Sequence, residues 1–394
     1  MKKILLLGGS TQQVIAIETA KRLGYETVLC DFLPDNPGQY AADRFYLIST
    51  TDREAVLEVA EKEHVDGVLA YASDPAAPTA AYVAEKLGLP TNPYVSVQTL
   101  CSKDLFRTFL KENGFPTPKA AWYSDKSVDT SLFTLPVIVK PVDSSGSKGT
   151  TVLRSWDGLD VALDFAFSFS RSHRLIIEEF IEKKHKYLVG GDVFISQGEV
   201  ILWGLLNCHR DQTVNPLVPV GKSYPLLLEK VDKEAVEQTL QRMVDKLGLE
   251  FGSMNVELVI DQSNRVWLID VGPRAGGNMI PDLLGDMFGI DLVEMTVEAA
   301  MGNSIRAAMH IPDGCYATHN LHSSRSGIYK EIVFSPKLEP YIYRKCLYKQ
   351  QGDRVEYFDN ASRCLGIVFF KFPDKDTMQD TLGHINELIT VVLQ

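Results

Sequence analysis

The chain has 394 residues, of which 45% are hydrophobic and 23% charged, enough apolar material for roughly two or three cored domains and too much for a disordered chain. Its 40 Lys+Arg against 51 Asp+Glu leave a net charge of −11, which argues against a nucleic-acid partner. The apolar run Ile4–Leu7 is too short for a secretory signal, no stretch approaches the ~20 apolar residues of a membrane span, and the six cysteines form no C-x-x-C. A reduced, cytoplasmic protein without a membrane or nucleic-acid partner is the expectation.

In chain order, Ile4-Leu5-Leu6-Leu7 running into Gly8-Gly9-Ser10 reads as a buried parallel strand and a tight turn. Val14, Ile17, Ala20 and Leu23 form a helical stripe, and Gly24 stands where that helix stops. Thr27–Asp31 and Val65–Ala70 read as further strands, with an Asp52-capped helix between them. The alternation predicts an α/β doubly wound parallel sheet over residues 1–92. Prolines in Pro90-Thr91-Asn92-Pro93 mark a boundary. One helix is expected over Ser96–Asn113, and short strands from Pro118 to about Leu206. A helix over Asp232–Leu247 follows, then strands Ser253–Ile260 and Val266–Asp270 joined by a turn. The C-terminal part is less regular and ends in an expected helix, Thr377–Leu393.

Walker, H-E-x-x-H, EF-hand and G-x-S-x-G patterns are all absent. Three other segments carry chemistry. In Leu135–Pro141 a β-branched run delivers Lys140, and Asp143–Gly149 follows as a Ser/Gly loop. Backbone amides of small residues beside a lysine suit phosphate binding, although a solvated hairpin has the same composition. In Arg174–Ile181 an apolar strand runs into Glu178-Glu179, which fits a purine pocket or an edge strand with solvated acids. Asn255-Val256-Glu257 and Asp270-Val271-Gly272-Pro273-Arg274 lie on the two paired strands. Glu257 facing Asp270 calls for a cation between them, and an oxygen-only pair suits Mg²⁺. Arg274 can neutralise a transferring phosphoryl group or form a surface bridge to Asp270.

In this order, Ser102-Lys103-Asp104, V-I-V-K-P, the Ser/Gly loop, E-E-F-I, N-x-E and D-x-G-P-R-x-G-G-N resemble the ATP-grasp superfamily over roughly residues 1–305, most nearly its carboxylate–amine ligases. The frame is shared with carbamoyl-phosphate synthetase-like and biotin carboxylase-like domains. The resemblance implies an N-terminal domain over 1–92 and an ATP-grasp domain over 93–305. It places a lid at about 117–182 and leaves a mixed α/β region over 306–394 without a role. It further implies that Lys103 and Lys140 hold ATP phosphates and that Ser145, Gly146, Ser147 and Lys148 close over them. Glu178 would lie near the adenine amino group, with main-chain contacts from Glu179 and Ile181. Glu257 and Asp270 would bind Mg²⁺, or Mn²⁺ in its place, while Arg274 and Asn278 would meet the acceptor carboxylate and the transferred phosphoryl group.

Two positions depart from the family pattern. Lys183-Lys184-His185 replaces G-x-E, so His185 is the candidate for the ribose, and Gly272 removes an amide ligand next to the metal strand. The implied reaction phosphorylates a small-molecule carboxylate to an acyl phosphate, which an amine displaces. A bicarbonate-activating enzyme and a catalytically silent nucleotide-binding module are the alternatives. His209, Arg210 and Lys222 are candidates for anchoring an anionic substrate, and His319, His322 and Arg325 form a second polar cluster. Relatives are frequently dimeric, which makes a homodimer a candidate, but the oligomeric state is not readable from the sequence.

Overall fold

The computed structural model describes residues 1–144, 146–305 and 308–394. Four strands, Arg44–Leu47, Glu26–Asp31, Lys3–Leu7 and Gly67–Leu69, lie side by side in that order and all pair in parallel. Lys3–Leu7 is buried on both faces because helices flank it, hence its unbroken apolar run. Asp52 caps the helix Arg53–Glu63 by accepting from the Ala55 N–H at 3.2 Å.

A long antiparallel sheet forms the centre of the molecule. Its order is Val266–Gly272, Phe251–Ile260, Leu188–Ser196, Glu199–Asp211, Asn215–Tyr224, Cys315–Leu321, Gly366–Phe372 and Ile342–Leu347. Its last three strands come from the C-terminal region, whose chain therefore extends the sheet that carries Glu257 and Asp270. The helix Lys230–Leu247 packs Val236, Leu240, Met243 and Val244 against one face and stops at Gly248, which has φ +61°. A small sheet, ordered Ala120–Tyr123, Leu175–Glu179, Val137–Pro141 and Thr151–Leu153, folds over this assembly. A three-stranded sheet of Arg354–Val355, Gly327–Phe334 and Ile389–Leu393 completes the C-terminal end.

Three elements differ from the sequence reading. The expected helix Ser96–Asn113 is two, Tyr94–Cys101 and Lys103–Glu112, because Ser102 is extended at φ −127° and ψ 116°. Between Thr151–Leu153 and Leu175–Glu179 lies a helix, Leu159–Phe169. The alternating Phe165, Phe167 and Phe169 mimic a strand, while Ala162, Leu163 and Ala166 bury one helical face. The expected helix Thr377–Leu393 is helical over Lys375–Gly383 and Ile385–Leu388, and its last five residues form a strand instead. Ile389-Thr390-Val391-Val392-Leu393 pairs with Gly327–Phe334, as its β-branched run favours.

Candidate active site

Strand periodicity builds the first wall. Val137, Val139, Leu175 and Ile177 fill the core of the small sheet, so the alternate residues Lys140 and Glu178 face the cleft beneath it. There the Lys140 ammonium pairs with the Glu178 carboxylate. Arg107, from the helix Lys103–Glu112, takes the same carboxylate in a fork, with Nε 2.8 Å from Oε2 and Nη2 3.2 Å from Oε1. Two of its other protons go to the Leu268 and Ile269 carbonyls at 3.1 and 2.7 Å. Burial alone pushes Glu178 up, but Arg107 and Lys140 outweigh it and hold the carboxyl at about 2. Burial pulls the Lys140 ammonium down, and Glu178 only partly restores it.

Glu178 is therefore neither a solvated edge acid nor a side chain free for an adenine amino group. Both its oxygens are held by cations. In the next turn of chain, the Glu179 N–H donates to the Lys119 carbonyl at 3.0 Å, and Ile181 lies just past the strand end. His185 is committed as well. Its Nδ1 bonds the Tyr187 carbonyl, and its Nε2 accepts the Ile260 N–H at 2.9 Å, so no ring nitrogen remains for a ribose. Burial lowers its pKa, in keeping with that neutral ring.

The helix break at Ser102 positions Lys103. Its backbone N–H donates to the Val142 carbonyl at 3.0 Å, which fixes the helix start against the small sheet. Its Nζ then reaches the Ser144 carbonyl at 2.7 Å and stands 3.8 Å from Asp270. Lys140 feels both the repulsion of Lys103 and the attraction of Asp270, so the two ammonium groups share one cleft. Ser145 lies outside the described residues. Beyond it, Gly146 and Gly149 take φ of +68° and +71°, and Ser147 donates to the Leu217 carbonyl at 2.8 Å. The loop thus rests on the long sheet with half-buried Lys148 inside it.

Opposite, Glu257 pairs in register with Asp270, and the strand pairing is irregular immediately after Glu257. Burial pushes Glu257 up, but Arg210, 3.3 Å away, and Lys222 hold it below its ordinary value. The Asp270 side chain keeps 44% of its surface exposed. Lys222 is buried with its Nζ 2.7 Å from the Cys208 sulfur. The histidines are engaged within the fold. His209 bonds Ser223 Oγ at 2.8 Å and packs against the tilted ring of Tyr187, and burial holds it near 3. His319 is likewise held near 3 by burial, and His322 bonds Asp211 at 3.0 Å. Arg325 is exposed and meets Ser323 through its main chain, its carbonyl accepting from Ser323 Oγ at 2.7 Å and its N–H donating to it at 3.2 Å.

Arg274 leaves the strand end toward the N-terminal sheet and pairs with Asp74, not with Asp270. Burial works against its charge, but Asp74 overcompensates and pushes the guanidinium further up. Its Nε is buried with no hydrogen-bond partner among the described residues. Gly272 makes this contact possible: a Cβ there would lie 2.6 Å from Asp74 Oδ1 and 3.0 Å from Arg274 Cζ. Asn278, at φ +55°, donates its N–H to Gln12 Oε1 at 3.2 Å. Buried Asp192 holds the turn from behind, accepting from Asn255 Nδ2 at 2.7 Å and from the Gly276 N–H at 2.8 Å.

Arg107, Asp192 and Asp74 escaped the sequence reading. Arg107 carried a usable signal, one helical turn after Lys103 on the same face. Asp192 was legible as a single carboxylate in the apolar run Val189–Ile195, whereas Asp74 meets its partner only through the fold.

A parallel N-terminal sheet, a small antiparallel sheet closing over two lysines, and paired carboxylates on a long antiparallel sheet define an ATP-grasp fold. Residues 101–278 match the ATP-grasp domain and residues 17–91 the ATP-grasp N-terminal domain. The chain is 32% identical to the formate-dependent phosphoribosylglycinamide formyltransferase of Bacteroides thetaiotaomicron, over 99% of this chain and 100% of that protein. Two solved structures share the fold: the L-amino acid ligase from Bacillus licheniformis (TM-score 0.80, 18% identity, 100% and 99% of the two chains) and the phosphoribosylglycinamide synthetase from Anaerococcus prevotii (0.76, 21%, 100% of both). The chain belongs to the ATP-grasp superfamily and is an ATP-dependent ligase that forms C–N bonds. No helix among the described residues is long and apolar enough to cross a membrane.

Proposed function

We propose that the enzyme transfers the γ-phosphoryl group of ATP to a small carboxylate and passes the resulting acyl phosphate to a primary amine, releasing ADP and phosphate. The observation that carries this reading is the placement of Lys103, 2.7 Å from the Ser144 carbonyl and 3.8 Å from Asp270, at the cleft that Lys140 faces from the small sheet. A carboxylate resists attack because oxide would have to leave; phosphorylation gives it a leaving group. Such a transfer needs positioning and charge neutralisation more than covalent help from the protein. Lys103 and Lys140 would bind the phosphates, and the loop carrying Gly146, Ser147 and Lys148 would cover them and exclude water. Arg274 would meet the charge that develops at the acceptor end, next to Asn278. Ile181 would offer the adenine its main chain.

Among the described residues, no three His, Cys, Asp or Glu side chains gather into a metal cage. Glu257 and Asp270 fit a magnesium ion that completes its shell with nucleotide oxygens and water. Such an ion would supply neutralising charge between the phosphates and these two carboxylates. For the carboxylate, the full-length relative in B. thetaiotaomicron points to formate as the first substrate to try.

The test supplies Mg·ATP, hydroxylamine and a panel of short carboxylates led by formate. Hydroxylamine captures any acyl phosphate as a hydroxamate, so hydroxamate and ADP should appear together with one carboxylate. ADP released by bicarbonate alone, with no hydroxamate, would establish carboxyphosphate chemistry instead. ATP binding without ADP formation across the panel would leave a nucleotide-binding module.

A further inference from the structure

The acceptor has to approach from the side where Arg274 and Asn278 stand, and the walls there carry a chemical preference. A cavity of about 120 Å³ opens at the carboxyl ends of the N-terminal strands, the usual ligand position in a doubly wound sheet. Its walls include Ile15, Tyr71, Met279, Cys346 and Tyr348, with Asp282 as the charged member. It is mostly apolar, and the C-terminal strand region supplies one side of it.

A phosphate-bearing ligand would need free backbone N–H groups or cations here. In the turn after the first strand, the amides just ahead of the lining residues Thr11 and Gln12 are committed. The Gly8 N–H goes to the Cys30 carbonyl at 2.9 Å, Gly9 to Asp31 Oδ2 at 2.7 Å, and Ser10 to Gln13 Oε1 at 2.9 Å. The Ser10 carbonyl takes the N–H groups of Gln13 and Val14 at the start of the following helix. The carboxylate of Asp31 thus stands where a bound anion would be repelled.

The cations are equally committed. No lysine or arginine is among the described residues that line the cavity. Arg344, bonded to the lining residue Asp282 at 3.3 Å, is shared with Asp286 at 2.7 Å, so two carboxylates face one guanidinium. This wall is net negative and therefore disfavours a phosphate dianion while tolerating an ammonium group.

We propose, resting on the ligase reading above, that the acceptor is an unphosphorylated primary amine whose small apolar or aromatic group sits in this cavity. The amine nitrogen attacks the acyl carbon. As the C–N bond forms, the bond from that carbon to the phosphate oxygen breaks and the phosphate leaves with its electron pair. The proton lost from nitrogen ends on the departing phosphate, so the products are an amide and hydrogen phosphate.

The test compares 2-phenylethylamine with O-phosphoethanolamine as acceptors, with Mg·ATP and the carboxylate that gives hydroxamate. The apolar amine should be used with at least about tenfold higher kcat/KM. In Tyr348→Arg, a cation placed in the cavity should move that ratio toward the phosphorylated amine by about tenfold or more; the ratio is unaffected by how much enzyme folds. Preference for O-phosphoethanolamine in the wild type, or an unmoved ratio in Tyr348→Arg, overturns the proposal. Absence of hydroxamate with every carboxylate overturns the ligase reading instead. The cavity is then judged by calorimetric titration of the two amines into the Mg·ADP-bound enzyme, where tighter binding of O-phosphoethanolamine overturns the acceptor class and tighter binding of 2-phenylethylamine upholds it.

Discussion

The two walls of the cleft treat charge in opposite ways. Beneath the small sheet, Glu178, Lys140 and Arg107 are all almost fully buried and satisfy one another. Along the outer strand pair, Asp270 is half open, and Glu257 meets Arg210 only at 3.3 Å. A buried ion pair costs desolvation, and it is tolerated where every charge has its partner. The first wall is a brace that keeps helix, small sheet and strand end in register. The second leaves its carboxylates less fully paired. Stability and turnover should therefore separate between them.

The largest effect is expected at the brace. Arg107→Ala leaves buried Glu178 with Lys140 as its one remaining cation and frees the Leu268 and Ile269 carbonyls, and unfolding in urea should show a loss of about 3–5 kcal/mol. A loss under about 1 kcal/mol would mean that the three charges do not act as a unit. Asp270→Asn addresses the open wall. It should cut turnover by about a hundredfold or more, as loss of a metal-binding carboxylate does, while the urea midpoint barely moves. A variant equally impaired in stability would place Asp270 in the brace and erase the contrast.

A third way of sealing polar groups sharpens the comparison. His319 is buried as a neutral ring, near 3 against an ordinary 6.5. Because its folded-state pKa is depressed, the unfolded chain binds the proton first. The associated stability is complete above about 6.5 and is lost as pH falls toward 3. At pH 5 the loss attributable to this residue is about 2 kcal/mol. His319→Gln should flatten the decline in urea midpoint between pH 8 and pH 5; an unchanged slope would assign the acid sensitivity to other groups.

What could be read from the chain follows the same division. Lys140, Glu257 and Asp270 were visible because strand alternation and a short turn fix their directions locally. Lys103 was visible by motif, though not the extended Ser102 that aims it, since Ser96–Asn113 carries no proline or glycine to announce a break. The partners of Glu178 and His185 were not legible because they come from elsewhere: Arg107 is 71 positions from Glu178, and Ile260 is 75 from His185. The final strand was mistaken for a helix because its pairing partner, Gly327–Phe334, decides the conformation.

The smallest predicted effect concerns Gly272, which the sequence alone presents as a deficit, a missing amide ligand. In the fold it is an accommodation. Any Cβ at this position would stand 2.6 Å from the Asp74 carboxylate, and Asp74 is the partner of Arg274. The obstructing atoms are ends of side chains, so Gly272→Asn should leave the backbone in place and push Asp74 away from the guanidinium. We expect kcat/KM for the amine to fall by about tenfold, with the ATP KM changed far less. Replacing Asp74 by alanine in the same chain tests the cause. If crowding of Asp74 is the whole effect, Asp74→Ala alone and the double variant should be equally impaired, because the asparagine has nothing left to displace. Additive losses would mean that Gly272 matters to the metal strand itself, and the open wall would then extend one residue further toward Arg274.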